Sequence, residues 1–123
     1  MGFVRAALVI PLQRLCLATR YSCRGFGAAW RTQAALRYEL YVFVIVIPAA
    51  WWIGDTSVER TLLIGSWILV VIVEVINSAI EAVVDRIGSE LHELSGRAKD
   101  LGSAAVFCSI VLAAMIWLTL WLD

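Results

Sequence analysis

The sequence predicts an all-α membrane protein: three transmembrane helices preceded by an amphipathic surface helix and assembled as a helical bundle. Three observations carry that expectation. Of 123 residues, 62% are hydrophobic and only 16% charged, with a mean hydropathy of +0.86, which excludes an ordinary soluble domain. The apolar residues gather in stretches 34–53, 61–87 and 101–122, long enough for the ~20 residues that cross a bilayer core. Finally, every charged residue before Glu39 is an arginine: Arg5, Arg14, Arg20, Arg24, Arg31 and Arg37. Such an acid-free start suits an anionic, cytoplasmic membrane surface.

A chain of this length holds one domain, 1–123, with residues 1–31 as its surface-helix region. Residues 11–22 are expected to lie as a helix in the membrane interface, with Gly25 and Gly27 breaking or turning it. The apolar run 6–12 is short, is broken by Pro11 and has no clear small-x-small cleavage site, so a surface helix is expected here rather than a signal peptide. Gly2 fails the myristoylation pattern because Ala6 stands where a hydroxyl residue is wanted. Tyr21 and Trp30 interleave with the arginines, but no nucleic-acid motif accompanies them, and no nucleic-acid partner is expected.

The first span, 34–53, carries Arg37 and Glu39 at one end, where both can snorkel, and Trp51 and Trp52 as an interfacial belt at the other. Pro48 is positioned to kink it. A short polar connection follows, in which Thr56-x-x-Glu59 fits a capping box opening the next helix. The second span is long: 61–87 extends about 40 Å at ~1.5 Å per residue. Residues 88–100 read as a polar loop, and the third span closes on Trp117 and Trp121. Cationic segments precede span one and follow span two. The positive-inside rule therefore places the N-terminus and the 88–100 loop in the cytoplasm. Three cysteines, Cys16, Cys23 and Cys108, lack metal-ligand spacing and read as buried or interfacial free thiols.

The chemistry is concentrated in residues 71–102. At about 100° per residue, Glu74, Glu81 and Asp85 fall in one stripe of the second span, flanked by Asn77 and Ser78. The opposite face, Val73, Ile76, Ala79, Ile80, Val83 and Val84, stays apolar. Carboxylates at membrane depth are expensive and face a protein interior, and one short chain shields few of them, which points to an oligomer. Near the cytoplasmic edge the stripe meets Lys99 and Asp100, with Arg37 and Glu39 from the first span. Paired carboxylates can hold Mg²⁺ with nucleotide phosphates, Lys99 and Arg14 can neutralise phosphate charge, and a carboxylate beside hydrocarbon can take a proton from a lipid hydroxyl. A packing interface glued by polar residues is the structural alternative, which one buried Asn or Glu would favour; four polar residues in register, continuing into a charged loop, point instead to a site. No GxxxxGK[ST] is present, and Gly25-Phe-Gly27 lacks the third glycine of GxGxxG, so a kinase here would have an unrelated design.

Residues 74–106, EVINSAIEAVVDRIGSELHELSGRAKDLGSAAV, closely resemble the signature of the bacterial integral-membrane diacylglycerol kinases. The similarity extends back through Arg14, Tyr21, the Ala28-Ala29-Trp30 segment, Arg37 and Glu39, covering all but about the first dozen residues. The resemblance implies a homotrimer of three-span protomers with active sites shared between neighbours. It also implies MgATP-dependent phosphorylation of diacylglycerol to phosphatidic acid at the cytoplasmic face of the bacterial inner membrane. By motif position, Glu74 matches the family's general base, beside Asn77, and Glu81 matches a metal-binding carboxylate. Arg14, Tyr21, Glu90, His92, Lys99 and Asp100 match nucleotide-contacting positions; Glu81 belongs with them through its metal. Trp30, Arg37, Glu39 and Ser103 match positions near the lipid substrate. One departure stands out: where the family's pattern carries a second metal-binding glutamate, this chain has Gln33. Glutamine keeps an oxygen donor and loses the charge. Three rival readings remain: the same chemistry on undecaprenol, a non-catalytic membrane subunit weakened at Gln33, and an ion conductor built on the carboxylate stripe.

Overall fold

The computed structural model describes residues 2–88 and 92–123, with side chains over 11–88 and 92–123. The chain divides into two compact units, residues 1–32 and 33–123. No strand occurs among the described residues.

The first unit is one helix, α1 (Gly2–Thr32). It corrects the expectation of a short helix ending near Gly25: α1 runs through both glycines and through Pro11. A glycine inside a helix weakens it by about 1 kcal/mol relative to alanine but does not forbid it. The alanines and arginine that follow resume good helix-forming sequence. Carbonyls along α1 also gain side-chain donors. Thr19 Oγ1 bonds the Leu15 carbonyl at 2.9 Å, Arg31 Nε the Gly27 carbonyl at 3.0 Å, and Thr32 Oγ1 the Ala28 carbonyl at 3.0 Å. At about 100° per residue, Leu12, Leu15, Phe26 and Trp30 share one side of α1, and Arg20, Arg24 and Arg31 gather on another.

The second unit comprises α2 (Ala34–Ile53), α3 (Ser57–Ile87) and α4 (Glu93–Leu122), all long and apolar enough to cross a membrane. The helix α3 is central, packing against both neighbours, and is the most buried of the three. Leu36, Leu63 and Val70 form its innermost contacts, with Val46, Ala50, Val71 and Ala113 around them. On α4 the buried positions are Gly102, Ser109 and Ala113, small residues that let two backbones approach closely. Two indoles tie the bundle together across its helices. Trp67 Nε1 donates to the Glu39 carbonyl at 2.9 Å, and Trp117 Nε1 to the Leu63 carbonyl at 3.2 Å. The outward faces carry Val44, Ile45, Ile76, Val83, Phe107 and Met115, as a lipid-facing surface should.

The α2–α3 connection is built as its sequence predicts. Thr56 Oγ1 accepts from the Glu59 N–H at 3.2 Å, and Glu59 Oε2 accepts from the backbone N–H groups of Asp55 at 2.8 Å and Thr56 at 3.4 Å. Arg60 folds back, donating to the Gly54 carbonyl at 2.8 Å and stacking 4.5 Å over the Trp51 ring. Trp52 meets Trp121 edge to face at 6.5 Å, which brings the last turns of α2 and α4 together at this end.

At the opposite end, α4 begins at Glu93, ahead of the 101–122 stretch and inside what the sequence reads as loop. Polar composition hid a helical turn held by local bonds. His92 is its N-cap, with Nδ1 accepting from the Leu94 N–H at 3.1 Å, and Arg97 pairs with Glu93 at 2.7 Å one turn on. The three cysteines are free and exposed on this chain rather than buried.

Candidate active site

The polar stripe of α3 points inward. Glu74, Asn77 and Ser78 are buried, Glu81 is half-buried and Asp85 is exposed. The stripe continues the line of Leu63, Ser66, Val70 and Val71, so it belongs to the packed face of α3. On the far side Ile76, Ala79 and Val83 are exposed, while Val73, Ile80 and Val84 are half-buried. Amphipathicity is therefore inverted relative to a soluble helix: the polar side faces protein.

Three elements meet there. Asn77 Nδ2 donates to Glu81 Oε1 at 3.4 Å within α3. From α4, Gly102 lies so close to Asn77 that a Cβ on it would fall 3.2 Å from the amide carbon. From α2, half-buried Glu39 is electrostatically coupled to Glu74, which is coupled in turn to Glu81. Glu39 Oε2, Asn77 Oδ1 and Ser78 Oγ are buried without a hydrogen-bond partner among the described residues. Buried polar atoms left unpaired carry a desolvation penalty, which a water, an ion, a ligand or a donor from outside the chain would relieve.

Where α3 ends and α4 begins, Lys99 Nζ bonds Asp85 Oδ1 at 2.6 Å, and its charge also couples to Glu81. A cation thus stands beside the outer end of the stripe, held by a neighbour only part-shielded from solvent. His92 and Asp100 are exposed near the start of α4, and Ser103 is exposed one residue beyond Gly102. Glu90 lies outside the described residues. Arg37 is half-buried on α2, and Gln33 is the half-buried N-cap of that helix, in extended backbone, whose side chain makes no capping bond. In the other unit, Arg14 and Tyr21 stand on one face of α1, two turns apart and exposed; Trp30 lies on its apolar side.

Among the described residues, no three of His, Cys, Asp and Glu converge as ligands of a metal ion. The donors offered are single carboxylates and an amide oxygen. That set suits a hard cation completed by phosphate oxygens and water, and does not make an all-protein cage. Two contributors escaped sequence reasoning. Gly102 sits in a run of small residues whose only signal is size, and Trp67 reads as one more apolar residue until its N–H is seen bonding α2.

Comparison with known proteins follows the same stretch of chain. The profile of the family described as prokaryotic diacylglycerol kinase matches residues 20–121. The diacylglycerol kinase of Escherichia coli strain K12 is 52% identical over 109 residues, covering 88% of this chain and 89% of the relative. Those of Haemophilus influenzae and Pseudomonas aeruginosa are each 45% identical, over 106 residues (86% and 90%) and 111 residues (90% of each) respectively.

Proposed function

Since this chain belongs to the prokaryotic diacylglycerol kinase family, we propose that it phosphorylates diacylglycerol to phosphatidic acid with MgATP, using Glu74 as general base. The observation that carries the assignment to these residues is the buried stripe itself. Glu74 and Asn77 are buried on a helix long and apolar enough to cross a membrane, toward the end of the bundle where Lys99 stands. Packing alone gives no reason to bury a carboxylate beside two others, whereas proton transfer from a lipid hydroxyl needs a base shielded from bulk water.

In this reading the diacylglycerol hydroxyl approaches Glu74 from the membrane side. Its proton passes to the Glu74 carboxylate as its oxygen forms a bond to the γ-phosphorus of ATP. The bond from that phosphorus to the β,γ-bridging oxygen breaks, and ADP leaves with the electron pair. Asn77 stands between the base and Glu81 on the same face of α3, with its Nδ2 3.4 Å from Glu81 Oε1. Glu81 and the oxygen of Gln33 are the groups that would hold Mg²⁺, and the ion, when bound, neutralises charge on the β- and γ-phosphates. Lys99, Asp100, His92, Glu90, Arg14 and Tyr21 contact the nucleotide, while Trp30, Arg37, Glu39 and Ser103 border the lipid. The protein works as a homotrimer in the bacterial inner membrane, with its N-terminus and the start of α4 on the cytoplasmic side, where MgATP is available.

The test is phosphate transfer from labelled MgATP by purified protein in mixed micelles, with diacylglycerol and undecaprenol offered separately. Labelled phosphatidic acid that disappears in Glu74→Gln is the expected result. Transfer to undecaprenol alone would reassign the substrate. No transfer to either at high Mg²⁺ would favour a non-catalytic subunit weakened at Gln33.

A further inference from the structure

We infer that Gly102 is a positioning residue for this reaction: by presenting no side chain, it leaves the space in which the Asn77 amide lies against α4. The inference rests on Asn77 serving at the proposed active site. A Cβ at position 102 would collide with Asn77 Oδ1 and stand 3.2 Å from Asn77 Cγ and 3.8 Å from Asn77 Cβ. The carbonyl side of the Asn77 amide is therefore seated over this one position. Asn77 is only 7% exposed, and its Oδ1 is buried without a partner among the described residues. Its Nδ2 reaches Glu81 Oε1 at 3.4 Å, too long a bond to fix the amide by itself. The second torsion of asparagine is broad and poorly self-determined, so the wall it rests on sets its orientation.

Backbone conformation does not explain the glycine. Gly102 is not in the left-handed region: it lies within a regular helix, where alanine is the better helix former. What glycine supplies here is space. The obstructing group is the end of a flexible side chain, not the α3 backbone. Alanine at 102 is thus accommodated by turning the Asn77 amide while the two helices stay packed. Asn77 lies one turn after Glu74 and one turn before Glu81 on the same face of α3, so turning its amide disturbs the register of both carboxylates.

The experiment compares Gly102→Ala, Asn77→Ala and the double variant in the full-length protein, with Gly65→Ala as control. A Cβ at Gly65 meets nothing within 4 Å. Gly102→Ala is expected to lower kcat by about tenfold to a hundredfold while KM for ATP stays nearly constant. It should also shift the ¹⁵N side-chain amide resonance of Asn77, assigned by its loss in Asn77→Ala; Gly65→Ala should do neither. The double variant should be no slower than Asn77→Ala, because no amide remains to be displaced. An unmoved Asn77 resonance, or an equal further loss of rate on the Asn77→Ala background, overturns the inference. If Asn77→Ala alone keeps the wild-type rate, the catalytic reading of Asn77 fails, and the resonance in Gly102→Ala still decides the positioning. Should Gly102→Ala fold only in the Asn77→Ala background, the rescue supports the same contact; failure to fold in both overturns it.

Discussion

At the scale of single residues, Glu74 and Gln33 make opposite demands on the reaction. Glu74 is buried beside Asn77 and coupled to two other carboxylates, so replacing it by glutamine preserves shape, removes the proposed proton acceptor and relieves repulsion. Glu74→Gln is expected to fold at least as well as the parent and to lose about 10²–10⁴-fold in kcat. Comparing its thermal unfolding with its phosphate transfer checks both halves. Gln33 brings an amide oxygen where the resemblance implies a carboxylate, at a helix N-cap where the side chain makes no capping bond. Gln33→Glu is therefore expected to lower the Mg²⁺ concentration giving half-maximal activity; an unchanged Mg²⁺ titration would refute the role. Period and charge made the carboxylate stripe legible in the sequence, since carboxylates aligned on one face of an apolar helix are too costly to leave facing lipid. The Lys99–Asp85 pair and the seat that Gly102 provides were not legible. Both depend on which α4 residue lies opposite which α3 residue, and periodicity within one helix says nothing about register between two.

Among the elements, the sequence was most informative where a side chain does a local job. Thr56 and Glu59 announce the start of α3 because their bonds span only three residues, and those bonds are present. Thr56→Ala is expected to cost about 1 kcal/mol of stability. The site lies at the other end of the bundle, so KM for ATP should hold, as denaturant titration alongside kinetics will show. The extent of α1 and the start of α4 were harder to read for a shared reason. Glycine and polar residues weaken a helix by amounts that a few local bonds offset, as the His92 cap and the Glu93–Arg97 pair do before the apolar part of α4. Composition separates the apolar spans cleanly from water-exposed chain, but it cannot separate an exposed helix from an exposed loop.

For the whole molecule, two features stand out: Glu39 Oε2, Asn77 Oδ1 and Ser78 Oγ have no partner among the described residues, and the α1 positions proposed for the nucleotide, Arg14 and Tyr21, belong to a separate compact unit. Neither fact could be read from one sequence, because the groups that complete a site in an oligomer need not follow each other along the chain. A homotrimer with shared sites makes a definite prediction from this division. In a shared site, α1 of one protomer serves the α3 stripe of its neighbour. A chain carrying Arg14→Ala and a chain carrying Glu74→Gln then supply the missing half to each other. Mixed in equal amounts, dissociated and reassembled, the two poorly active variants should recover about a quarter of the wild-type rate, because that share of interfaces pairs an intact Arg14 with an intact Glu74. The recovery should require reassembly: trimers formed separately and then combined in the same micelles should stay as slow as their parents. If reassembled mixtures recover nothing, Arg14 and Glu74 serve one site within a single chain, and the unpaired oxygens of the stripe must be answered by substrate alone.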